Sequence, residues 1–576
     1  MTYTIGLATT FHDPAIAIIG PDGAVLFAEA TERYLQYKRA PNCEPDTVAR
    51  MEGLLKRHIP AGAEVRIATS WSEEFTGFLD QMARAGSFTL DEVCGLSPEL
   101  SRSLAPERTE RALIASLHHA QSQAGLGVLV GLDRAHGKAN ITGIDRHGHH
   151  LSHAAYGCWS SPFSNAACLV VDGMGETGAS AIFGLEGGDI REVKRHRGRE
   201  SIGFFYGLVT DLAGFDRSKG EEWKIMGLAP YGKADPRLMA QLRRLYGIEG
   251  HKLRFADIDI VRDVAAEISA HRPAGIGDQG WADLARCGQE AFAEMMEALL
   301  AETAALVPSE NLVLAGGCAL NSSFNGRIAG RHGFKNVFVP SAPADDGNAI
   351  GAAWLSHAKA KPGWRAPKGP LTPYLGSSIS TEPLVRMRAW EPRLQKLPAD
   401  QIPLATAELL AEGKLVGWVQ GRAEFGPRAL GNRSILADPR PLDAKDILNA
   451  KVKYREAFRP FAPSILAAHG PDWFEDYQDA PYMERTLIWK EAVRHRVPAV
   501  VHADGTGRLQ SVTPERNPRY HALIAAFHAL TGVPVLLNTS FNIMGKPILH
   551  TTEDAILMFY TSGLDALVVE DWLLVK

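Results

Sequence analysis

Short apolar blocks separated by polar turns organise the start of the chain. Residues 3–8 are apolar, 9–14 form a polar loop, and 15–19 are apolar again. Pro21-Asp22-Gly23 follows as a turn, and 24–28 return to apolar character. This alternation predicts strand, loop, strand, tight turn, strand. Residues 166–195 repeat it. There 167–171 lead into Asp172-Gly173-Met174-Gly175-Glu176, then 179–185, Gly187-Gly188 and 190–193. Further on, 312–317 read as a buried strand ending in two glycines, and Asp345-Asp346-Gly347 precede a run of small helix formers. In the second half, 405–413 predict a helix with a glycine stop, 415–419 a strand, and 533–537 a strand ending in Asn538-Thr539-Ser540-Phe541-Asn542. Between the halves, residues 358–376 are rich in Pro, Gly and Lys, which marks a boundary.

The two similar units stand about 160 residues apart, so the pattern predicts a duplicated α/β architecture of the actin-like kind. In such a fold hairpin loops face ATP phosphates. Small residues let backbone N–H groups approach, and an aspartate positions the cation. A Gly-Gly bend at a strand end admits a flat ligand such as adenosine, or serves as an ordinary strand-to-helix turn. The amide and hydroxyl groups after 537 either orient a small polar ligand or supply turn chemistry.

Composition narrows the class. At 576 residues, with 45% hydrophobic and 22% charged residues, the chain is a multidomain globular protein. Its formal charge of −5 argues against a general nucleic-acid or membrane binder. The N-terminus lacks a basic leader, and no stretch has the apolar length to span a bilayer. The 6 cysteines include no CxxC spacing, which suits a reducing cytoplasm.

Local chemistry then stands out. Arg422, Arg428, Arg433, Arg440, Lys451, Lys453, Arg455 and Arg459 lie among glycines, prolines and Phe425, Phe458 and Phe461. Half-buried guanidinium groups need anions, either Glu424, Asp438 and Glu456 or a phosphorylated substrate. In His149-His150-Leu151-Ser152-His153 a helix puts His149 and His153 one turn apart on one face, where they can share a cation with Asp345. His12-Asp13 falls in the first hairpin loop, where a catalytic group would face the nucleotide.

Taken in order, these words resemble the ATP-dependent O-carbamoyltransferases of antibiotic biosynthesis and nodulation. The motifs are Phe11-His12-Asp13, the His-His-x-x-His word, Val171-Asp172-Gly173-x-Gly175-Glu176, residues 224–232 (KIMGLAPYG), 316–321 (GGCALN), Asp345-Asp346-Gly347, 426–431 (GPRALG), Arg459-Pro460-Phe461 and 538–542 (NTSFN). The resemblance implies an α/β protein of two parts. Residues 1–365 would form a duplicated actin-like (ASKHA) domain similar to tRNA threonylcarbamoyl-transferase, which passes a carbamoyl group to an alcohol. Residues 366–576 would form a YrdC-like domain, which makes carbamoyl adenylate from carbamoyl phosphate and ATP.

It also implies roles. His12, Lys453 and Arg459 are the expected catalytic groups. Arg428, Arg433, Lys453, Arg459, Arg508, Asn538 and Ser540 would bind carbamoyl phosphate and ATP. Asp172, Gly173, Gly175, Gly316, Gly317, Asn321 and Asp346 would line a nucleotide. His149, His153, Asp345 and Asp172 would hold a divalent metal (Fe, Mg, Mn or Zn). The expected partners are carbamoyl phosphate and a small-molecule alcohol, with homo-oligomerisation left open. Residues 34–42 depart from the family's more acidic wording, and acceptor contacts are expected there and within 60–140. Two rival readings use the same folds. A tRNA threonylcarbamoylation enzyme would need a basic RNA-facing stripe, which the net charge does not favour. A non-catalytic nucleotide-binding regulator would need no second anion pocket.

Overall fold

A computed structural model gives the fold of residues 1–85, 107–198, 200–270, 281–367, 369–543 and 545–576. The chain divides into two units. One comprises Met1–Glu32, Arg39–Leu320 and Arg327–Leu371, and the other Arg33–Lys38, Asn321–Gly326 and Thr372–Lys576.

The first unit holds two sheets with one topology. Strands β1 (Thr2–Ala8), β2 (Ala15–Ile19), β3 (Val25–Ala30), β4 (Glu64–Thr69) and β5 (Ile141–Arg146) are ordered β3-β2-β1-β4-β5. β1, β2 and β3 form an antiparallel meander, and β4 and β5 add in parallel beyond β1. The second set is β6 (Asn165–Val171), β7 (Ser180–Glu186) and β8 (Asp189–His196), followed after a hairpin β9 (Tyr246–Glu249) and β10 (Lys252–Phe255) by β11 (Asn311–Ala315) and β12 (Asn336–Phe338). Its order, β12-β11-β6-β7-β8, is the same arrangement read from the other end. The same directions recur, antiparallel through β8 and parallel through β12. This is the duplicated actin-like fold.

Why these segments pair follows from their apolar content. Ile5, Leu7, Ile16, Ile18, Phe27 and Ile67 meet Met51, Leu54, Leu55, Val128 and Leu132 in one core, the largest favourable contribution to folding this sheet. The helix Asn348–Ala360 lies on β1 and β2 and on the helix His149–Ser160. A Cβ on Gly351 would stand 1.9 Å from the Ser152 carbonyl oxygen, so only glycine lets those two helices approach this closely.

The second unit is built on one mixed sheet. Its strands are β13 (Gln395–Lys396), β14 (Val416–Val419), β15 (Arg433–Ala437), β16 (Ala462–Leu466), β19 (Gln510–Val512), β20 (Val535–Ser540), β21 (Ala566–Val569) and β22 (Trp572–Val575), in the order β13-β22-β21-β14-β15-β20-β16-β19. A separate pair, β17 (Thr486–Ile488) and β18 (Thr506–Arg508), completes the strands. The predicted helix near 405–413 is Ile402–Ala411, which packs on the helix Pro518–Thr531. One expectation changes. Asn538 and Ser540 do not follow the last strand but lie inside β20, between β15 and β16, opposite Leu436, Ser434 and Ala462. Among the described residues, no helix is long and apolar enough to cross a membrane.

Candidate active site

In the first unit, β6 ends at Val171 and delivers Asp172 to the loop that follows. The helix His149–Ser160 presents His149 and His153 on one face, and Asp345 opens the turn before Asn348–Ala360. His149 Nε2 lies 3.0 Å from Asp172 Oδ2 and 3.5 Å from Asp345 Oδ1. His153 Nε2 lies 3.2 and 3.3 Å from the same two atoms. One ligand atom from each residue falls within 4.8 Å of all the others. Burial disfavours a charged His153, yet the Asp172 and Asp345 carboxylates outweigh it and raise its pKa to about 9. Burial alone would raise Asp172, but hydrogen bonds from His149 and His153 hold it well below the usual carboxylate range. Two imidazoles and two carboxylates converging in this way fit a first-row divalent cation. Glu176 steadies the arrangement by accepting the N–H of His149 (3.3 Å) and of Ser72 (2.7 Å).

The backbone N–H groups of the glycines expected to line a nucleotide make internal bonds. The amides of Gly173 (2.8 Å) and Gly317 (3.2 Å) both donate to Asp172 Oδ1. Those of Gly175 and Gly316 donate to the carbonyls of Gly178 and Pro343, each at 2.8 Å. Gly173 and Gly317 thus hold the Asp172 carboxylate, Gly175 closes its loop, and Gly316 ties the end of β11 to Pro343. Gly316 is required by geometry, with φ 89° and a Cβ position 2.3 Å from the Val171 carbonyl oxygen. Asn321, expected to line a nucleotide, makes a local capping bond in this structure. It belongs to the second unit, and its side chain caps Ser322–Asn325 by accepting the Phe324 N–H at 3.1 Å. Asp346 is buried, and its pKa is pushed up to about 7 by that burial and by Asp13, Asp345 and Glu32.

His12 stands in the loop after β1 with its Nδ1 2.9 Å from Asp13 Oδ2. Asp13 also accepts from Arg39 Nε at 3.2 Å, and its backbone is left-handed, φ 58°. A carboxylate only accepts, so Nδ1 is the donor to Asp13, and in the neutral ring Nε2 carries the lone pair. Asp13 and Arg39 were not among the expected site residues. Asp13 could have been found from its place beside a loop histidine. Arg39 lies in the unfamiliar stretch 34–42, and residues 86–106 of the expected acceptor region lie outside the described residues.

In the second unit the cations separate into two groups. Arg440 is closed off by Asp438, with contacts of 2.7–3.0 Å. Arg422 donates to the carbonyls of Leu375 and Gly376. Arg433, fully buried, donates to the carbonyls of Gln420, Asn432, Ser377 and Gly421. The Lys453 ammonium is committed to Ser540 O, Asn542 O and Asn542 Oδ1. Arg433 and Lys453, expected as substrate or catalytic groups, are thus hydrogen-bonded to their own scaffold. Asn538 donates to Ala429 O, Ser464 Oγ and Gln510 Oε1, while its Oδ1 is buried without a partner among the described residues. Ser540 Oγ donates to Asn542 Oδ1 at 2.7 Å.

The other group is Arg428, Arg455, Arg459 and Arg508. Burial pulls the Arg428 pKa down to about 10. Burial, then Arg428, Arg455 and Arg459, lower that of Arg508. Burial, then Arg459, lower that of Arg455. Glu456 approaches Arg459 at 3.4 Å. Arg508 Nε is buried without a hydrogen-bond partner among the described residues. Glu424, the other acid of this region, instead accepts the backbone N–H groups of Leu430, Asn432 and Arg433, folding the loop that presents Arg428. Cations that repel one another at half-buried positions can accommodate an anion. Arg455 stacks on Phe461 at 4.2 Å and donates to Asn449 Oδ1 at 2.8 Å and Pro460 O at 3.4 Å.

Comparison with known proteins gives the same direction. The family models described as carbamoyltransferase N-terminus and carbamoyltransferase C-terminus match residues 118–354 and 407–576. An uncharacterized protein of Synechocystis sp. is 32% identical, over 100% of this chain and 97% of its own length. Nodulation protein NolO of Bradyrhizobium diazoefficiens is 36% identical, over 74% of this chain and 78% of its own. A 3'-hydroxymethylcephem-O-carbamoyltransferase of Amycolatopsis lactamdurans is 37% identical, over 45% of this chain and 48% of its own.

Proposed function

The chain belongs to the carbamoyltransferase family, and from that premise we propose that it is an ATP-dependent enzyme carbamoylating a hydroxyl group of a small molecule. The observation that carries this reading is the group Arg428, Arg455, Arg459 and Arg508, whose mutual repulsion an anionic ligand relieves. In the second unit these guanidinium groups grip carbamoyl phosphate and the phosphates of ATP. Water cleaves carbamoyl phosphate to carbamate and phosphate. A carbamate oxygen then attacks the α-phosphorus of ATP, pyrophosphate leaves, and carbamoyl adenylate remains. Positive charge at the departing oxygens lowers both barriers.

In the first unit the acceptor oxygen attacks the carbamoyl carbon and AMP leaves. His12 takes the hydroxyl proton at Nε2, with Asp13 holding Nδ1–H. His149, His153, Asp172 and Asp345 would hold a divalent cation, which when bound would supply positive charge toward the phosphate of the leaving AMP. Asp346, beside this cluster, supports the nucleotide end of the site. The Amycolatopsis relative's name specifies a hydroxymethyl oxygen as its acceptor, and an alcohol of that type is proposed for this chain.

Incubating the full chain with ATP, carbamoyl phosphate and a panel of alcohols, followed by mass spectrometry, tests the reading. The expected result is AMP together with a product heavier by one carbamoyl unit. Carbamoylation that proceeds without ATP contradicts it.

A further inference from the structure

Neither imidazole of the proposed cation site has the usual support of a metal-ligating histidine. Such a ring normally donates its second N–H to a carboxylate, carbonyl or water, which fixes its tautomer and orientation. Here the Nδ1 atoms of His149 and His153 are buried with no hydrogen-bond partner among the described residues. For His149 something else holds the ring. The Trp71 indole lies on its face, with centroids 4.3 Å apart and planes 23° apart. Phe75 stacks on the same indole at 4.8 Å and 24°. Trp71 is 3% exposed, and its Nε1–H donates to the Thr9 carbonyl at 2.9 Å. Thr9 opens the loop that carries His12, and Gln121 grips it as well, at 2.7 Å on the carbonyl and 2.6 Å on the hydroxyl.

We infer that Trp71 is a positioning residue of the cation site. Its indole face sets the plane of His149 so that Nε2 meets Asp172 and Asp345, and its Nε1–H ties that ring to the His12 loop. The inference rests on reading His149, His153, Asp172 and Asp345 as a cation site. A stacked ring restrains rotation about the His149 side chain without competing for either nitrogen, so it can replace the missing hydrogen bond. This role is not legible from the residue pattern. Trp71 is remote from His149 along the chain, and no motif contains it.

Cobalt(II) is the probe, titrated into the metal-stripped full chain and followed by its visible absorption bands. Trp71→Phe keeps a ring against His149 and removes the Nε1 bond, whereas Trp71→Leu removes both. Trp71→Phe should bind cobalt within about twofold of the parent and with unchanged bands. Trp71→Leu should bind about tenfold more weakly, with shifted bands, the size expected when a ligand's outer support is lost. Parent-like binding by Trp71→Leu overturns the inference. Equal loss in Trp71→Phe also overturns it, because the Thr9 bond and not the stack would then be responsible.

His149→Ala separates the two readings. Unchanged cobalt binding in that variant removes the cation site itself. Lost binding there, beside intact binding in Trp71→Leu, removes only the role of Trp71. Should Trp71→Leu fail to fold, fluorescence of the parent and Trp71→Phe decides. Cobalt should quench more of the parent's emission, and equal quenching overturns the inference.

Discussion

His12 shows how a small contact selects a chemical role. Its Nδ1 is committed to Asp13, which leaves Nε2 free to take a proton. Replacing Asp13 by Asn puts an amide donor opposite Nδ1 and favours the other tautomer. Asp13→Asn should therefore slow carbamoyl transfer by about 10²–10⁴-fold. The Michaelis constant for the acceptor and carbamoyl-phosphate-dependent pyrophosphate release should be little changed. Steady-state kinetics on the two half-reactions measures this, and equal slowing of both removes the role. At this scale the sequence was only partly legible. His149, His153, Asp172 and Asp345 share short words with a helical or strand-end spacing, so they could be picked out. Lys453 and Arg433 could not be told from Arg455 and Arg508. Four carbonyl oxygens close on Arg433 and two on Lys453, and which carbonyls reach a given cation depends on segments outside its own motif.

Among the elements, the loop between β14 and β15 has the clearest internal support. Glu424 Oε1 receives three backbone N–H groups, at 2.7 Å from Leu430, 2.8 Å from Asn432 and 3.1 Å from Arg433. Glu424→Ala leaves three buried donors unsatisfied, a local cost of about 3 kcal/mol or more. Amide exchange at Leu430, Asn432 and Arg433 should accelerate by about 10²-fold, since 1.4 kcal/mol corresponds to tenfold. Unchanged exchange there would show that another group organises the loop. The strands of the first unit were legible because their apolar and polar blocks alternate cleanly with turn residues. β20 was misjudged at its C-terminal end. Asn538, Thr539 and Ser540 look like turn chemistry in isolation. They continue the strand because β15 pairs with all three, and β16 pairs with Asn538 from the other side.

For the molecule as a whole, the repeated strand order accounts for the first unit and the Pro- and Gly-rich stretch marks where the chain passes into the second. Two short segments, Arg33–Lys38 and Asn321–Gly326, belong to the second unit, and nothing in their composition marks them. The account assigns one half-reaction to each unit, so a variant in one unit should spare the chemistry of the other. Pyrophosphate release from ATP, measured without any acceptor alcohol and with or without carbamoyl phosphate, tests this most directly. The account predicts release only when carbamoyl phosphate is present, retained in His153→Ala and reduced by at least about 10²-fold in Arg508→Ala. Release that ignores carbamoyl phosphate, or that falls equally in the two variants, would contradict it.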